Sequence, residues 1–126
     1  MRKLPDPRID LANRKPVWGV WSDLYLDTEI SPKDEAGIAR LLARSPYNTK
    51  QLKTILWTEV HPACFLNLID ILGVWEGFDL EWLAERILAR RARIFRIPYF
   101  LLPSFRQIAP PAGRILSAVE AMRVET

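Results

Sequence analysis

The chain has 126 residues, of which 49% are hydrophobic and 26% charged, and a net charge of +3. These values fit one globular domain with a real core and argue against disorder. The N-terminal MRKLPDPRIDLANRKP lacks an apolar core for a secretory signal, and no apolar run approaches the roughly 20 residues that span a membrane. A single cysteine, Cys64, leaves no internal disulfide and fits a reducing compartment. A soluble cytoplasmic protein is therefore expected.

Residues 1–12 carry Pro5 and Pro7 among charges and read as an irregular arm, leaving 13–126 as one helical domain. Asn13 or Asp10 can cap a first helix, with Pro16 in its first turn. Val17, Trp21, Leu24 and Tyr25 fall on one face, widened by Trp18 and Val20, so this helix is expected to reach about Leu26. Ser31-Pro-Lys-Asp34 then has the form of a capping box. Ile38, Leu41 and Leu42 supply the buried face of the second helix, which Arg44-Ser45-Pro46 ends. Asn48 with Gln51 opens a third helix, with Leu52, Ile55, Leu56 and Val60 in phase. The second and third helices form a loose helix-turn-helix.

Pro62 has no backbone donor, so the third helix is expected to end or kink near Val60–His61. Ala63 to Leu72 reads as a buried helix, Gly73 as its stop, and Trp75-Glu-Gly-Phe as a turn before Asp79 caps the next helix. That helix turns Leu80, Leu83, Ile87 and Ile94 inward. Ile97 to Pro103 is expected to be extended or irregular. Pro110-Pro111 opens a last helix with Ile115, Val119 and Met122 on one face and Leu116 beside it. The fold class is all-α, a bundle of five or six short helices around one core with an irregular proline-rich C-terminal segment.

Charge is segregated along the chain. Thr54 to Glu85 holds Glu59, Asp70, Glu76, Asp79, Glu81 and Glu85 with no Lys or Arg. From Arg86 to Arg123 the arginines face only Glu120. Acids early and arginines late in the helix from Leu80 match the helix dipole, but the acidic run begins well before that helix. Carboxylates beside Trp57, Trp75, Phe78 and Trp82 make an anchor-and-rim contact surface for a basic partner. The alternative is that the tryptophans are core and the acids are caps. Arg86, Arg90 and Arg93 share a face near Phe95, Tyr99 and Phe100, the pattern of a nucleic-acid surface. The small net charge and the adjacent acidic stretch stand against that reading.

Asp23 and Asp27 lie four apart, followed by Glu29, which suggests a divalent-cation or acid/base site, against the simpler reading of an exposed acidic helix end. His61 reads as a capping or packing residue and Cys64 as a small buried hydrophobe. The chain carries no Gly-rich phosphate loop, HExxH, CxxC or GxSxG. No enzymatic activity, cofactor or metal is expected.

A set of spaced motifs runs through the first two thirds of the chain. They are Val17-Trp18, Ser22-Asp-Leu-Tyr-Leu-Asp-Thr-Glu29, Ser45-Pro-Tyr47, Glu59-Val60 with Pro62, Asn67-Leu68, Gly73-Val-Trp-Glu-Gly-Phe-Asp79 and Trp82-Leu83. From about Arg14 to Leu88 this pattern resembles a family of small bacterial proteins of unknown function. The resemblance implies no assigned activity or catalytic residue. At the level of class it implies an immunity protein, which binds and blocks a toxin enzyme. Such an inhibitor would present Asp23, Asp27, Glu29, Trp75, Glu76, Asp79 and Glu81 to a basic site on its partner. Nucleic-acid binding by Arg86, Arg90 and Arg93 is the alternative, and a small carboxylate-metal protein or enzyme is a third.

Overall fold

The computed structural model describes residues 4–25, 30–62, 80–91 and 105–124. Among these residues all the regular structure is helical. The elements are α1 (Leu11–Ser22) with a tight 3₁₀ turn (Asp23–Tyr25), α2 (Pro32–Ala43), α3 (Thr49–Ile55) running into a wide π turn (Leu56–Val60), α4 (Leu80–Arg91) and α5 (Phe105–Val124). The expected helix over 63–72, the Trp75 turn and the segment 97–103 lie outside the described residues.

α1 begins at Leu11, inside the arm expected over 1–12, so Pro16 stands at the sixth helical position. Its missing donor leaves the Ala12 carbonyl without its helical partner, but Ala12 is exposed and water can serve it. Asp10 occupies the N-cap position without a side-chain cap bond, because its carboxylate is engaged elsewhere. The arm itself is tied down. Pro7 is buried and Leu4 packs against the core.

α2 and α3 start as their sequences dictate. Ser31 Oγ accepts from the Asp34 N–H while the Asp34 carboxylate accepts from the Ser31 N–H. Asn48 and Gln51 repeat the reciprocal pair at α3. Each box satisfies two of the donors that a helix start leaves unpaired. Ile38, Ala39 and Leu42 form the buried face of α2, whereas Leu41, expected inside, is 50% exposed. Ala39 takes its place because the core stripe is centred between Ile38 and Leu42.

Of the end or kink expected near Val60–His61, the structure shows a local distortion just before Pro62. The third helix widens, with the His61 N–H bonded to the Leu56 carbonyl five residues back, and stays helical through Pro62. A proline ring would collide with the carbonyl four residues before it, and a wide turn relieves that crowding. Thr54 and Thr58 donate their hydroxyls back to the Lys50 and Thr54 carbonyls, a pattern that bends helices further.

α5 also begins earlier than expected, and Pro110 and Pro111 lie inside it. The apolar phase Ile108, Ala112, Ile115, Val119 runs unbroken across the prolines, and all four are buried. The carbonyls that lose donors belong to exposed Arg106 and Gln107. α5 packs along α2 and α3. It runs parallel to α2: Arg114 forks onto Glu35 near the start of α2, at 2.9 and 2.8 Å, and Arg123 donates to the Leu42, Ala43 and Ser45 carbonyls at its end. α2 thus leans chiefly on α5, unlike the tightly paired helices of a DNA-reading helix-turn-helix. α1 crosses α2, α4 and the wide turn, and the core between them holds Trp18, Trp21, Leu24, Leu52, Leu56, Leu83 and Ile87.

Candidate functional site

The polar chemistry of the described bundle converges where α1 meets the wide turn. Asp10, Arg14 and Trp18 are spaced four apart, so they line up along one face of α1. Arg14 is 1% exposed and Glu59, on the wide turn, 2%. The guanidinium forks onto the carboxylate, Nε to Oε1 at 3.0 Å and Nη2 to Oε2 at 2.8 Å. Trp18 Nε1 donates to the same carboxylate at 2.7 Å. The remaining side of Arg14 reaches Asp10 Oδ2 at 3.0 Å, and Asp10 also accepts from the Tyr47 hydroxyl and from Asn13. The Arg14 guanidinium lies over the Tyr47 ring, 5.6 Å from its centroid.

The charges set one another. Burial works against the Arg14 cation, but the bonds and charge of Glu59 outweigh it and raise its pKa. Burial alone would push Asp10 up, yet the bonds from Tyr47, Asn13 and Arg14 hold its carboxyl below the ordinary value. Burial, then the bond to Asp10, push the Tyr47 hydroxyl up to about 12. Arg14 and Glu59 form the sealed centre of this hydrogen-bonded charge cluster, and Asp10 and Asn13 carry it outward to solvent. It clasps α1, the turn before α3 and the wide turn together.

A second polar contact lies at the other end of α1. Tyr25 Oη and His61 Nδ1 are 2.7 Å apart, and the Trp57 ring meets the imidazole edge-on at 5.1 Å between centroids. His61 is wholly buried. Its burial and its contacts with Tyr25 and Trp57 agree with the packing side of the capping-or-packing reading.

The acidic surface is represented by α4. Glu81 and Glu85 are exposed and four residues apart on one face. Glu81 accepts from Lys15 Nζ at 2.8 Å while its side chain keeps 71% of its exposure. Asp23 is exposed as a residue, although burial of its carboxyl raises the pKa. Asp27, Glu29, Trp75, Glu76 and Asp79 lie outside the described residues, as do Cys64 and Arg93. Arg86 and Arg90 are placed on the α4 backbone, but their side chains lie outside the description. Among the described residues, no three His, Cys, Asp or Glu side chains gather as a metal site. No described helix is long and apolar enough to cross a membrane.

The sequence reading missed the Arg14–Glu59 clasp. Its signal was a cation in line with Trp18 and Trp21 on the apolar face of α1, and a carboxylate within the buried phase of the third helix.

Fold and cluster together define a small all-α domain whose helices are joined by a buried ion pair. The chain belongs to the family described as a domain of unknown function, DUF7079, whose model matches residues 12–108. No curated protein and no solved structure matches it. Trp18, Tyr25, Tyr47 and Glu59, which carry part of the motif pattern in the sequence, all stand in the two buried polar contacts. These four residues therefore take part in fastening the helices.

Proposed function

We propose that the chain is a non-enzymatic protein-binding module that blocks a basic site on a partner enzyme, in the manner of an immunity protein. The observation that carries this reading is the fate of His61. The chain's only histidine is sealed in the core against Tyr25 and Trp57. The Arg14–Glu59 pair is likewise enclosed. These buried groups are thus engaged in holding the fold, while the exposed carboxylates Glu81 and Glu85 stand on the outer face of α4. Occlusion of a basic site needs such a surface and no catalytic group. In the sequence the acidic run that holds Glu81 and Glu85 also includes Glu76 and Asp79, beside Trp75.

The test is affinity capture of the tagged chain from lysate of the organism that encodes it, with nuclease treatment, followed by binding of the purified pair. The reading expects one stoichiometric protein that survives nuclease. Glu81→Lys/Glu85→Lys, and separately Glu76→Lys/Asp79→Lys, are expected to weaken that pair tenfold or more without loss of helicity. Capture that vanishes with nuclease, or affinity unchanged in both double variants, would overturn it.

A further inference from the structure

We draw no further inference here: the strongest candidate, the shallow open groove between α3 and α5 lined by Thr49, Lys50, Lys53, Leu116, Ser117 and Glu120, rests on two surface lysines, and nothing in the structure shows what covers it.

Discussion

Arg14 and Glu59 form a buried pair, so removing one partner differs from removing both. Arg14→Met leaves the Glu59 carboxylate inside the core without its cation, a loss of about 3–5 kcal/mol. Arg14→Met/Glu59→Leu removes both charges, so no buried charge is stranded at that pair, and what it strips from neighbours such as the Trp18 N–H costs about 1–3 kcal/mol for each group left unmet. The double variant is therefore expected to be no less stable than the single one, as read by urea unfolding. Simple addition of two single losses would refute this account of the pair. Asp10 gives a pH signature. Its folded carboxyl titrates below the ordinary value, so its contribution is complete above about pH 3.9 and is lost as pH falls through the lower folded value. The stability gap between the native chain and Asp10→Asn is expected to be level from pH 7 to 5 and to shrink below pH 4. A gap that stayed constant down to pH 2.5 would show that the bonds from Tyr47 and Arg14 do not depend on the Asp10 charge. The Arg14–Glu59 and Asp10–Tyr47 partnerships were not legible in the sequence, because the first pair is 45 residues apart and the second 37. Periodicity shows which face is buried, not which polar groups meet there.

At the scale of elements, local chemistry was read well and tertiary accommodation poorly. The capping boxes at Ser31 and Asn48 are reciprocal bonds within four residues, so their sequences suffice to locate them. Ser31→Ala and Asn48→Ala are each expected to cost about 1 kcal/mol. They share no partner, so the double variant is expected to lose the sum, with an unchanged slope against urea. A loss well short of the sum would mean that the two helix starts are coupled through the turn that joins α2 to α3. Prolines misled the same reading at Pro16 and Pro110-Pro111, which sit inside helices, whereas the distortion expected before Pro62 takes the form of the wide turn. Exposed carbonyls tolerate the missing donors at Ala12, Arg106 and Gln107, and the wide turn absorbs Pro62. Burial of the neighbouring apolar phase outweighs the local penalty, which no propensity scale registers.

At the scale of the molecule, the folding unit extends past the part that the family model matches. The match ends at Ile108, within α5. Ala112, Ile115 and Val119 follow it, all buried against the common core, and Leu116 and Met122 pack at its edge. Burying Ile115 and Val119 contributes about 1.5–3 kcal/mol each. Arg123 adds its bonds to the end of α2. Together these reach the lower end of the net stability of a small domain, about 5–15 kcal/mol. Their removal would also uncover the apolar face of α2. A chain ending after Ile108 is therefore expected to lose cooperative thermal unfolding and to bind a hydrophobic dye, although it keeps nearly all of the family-matched segment. Arg114→Ala in the full chain removes only an exposed fork onto Glu35 and is expected to leave the midpoint nearly unchanged. A truncated chain that melted cooperatively within a few degrees of the full one would show that α5 is an accessory to a core complete without it.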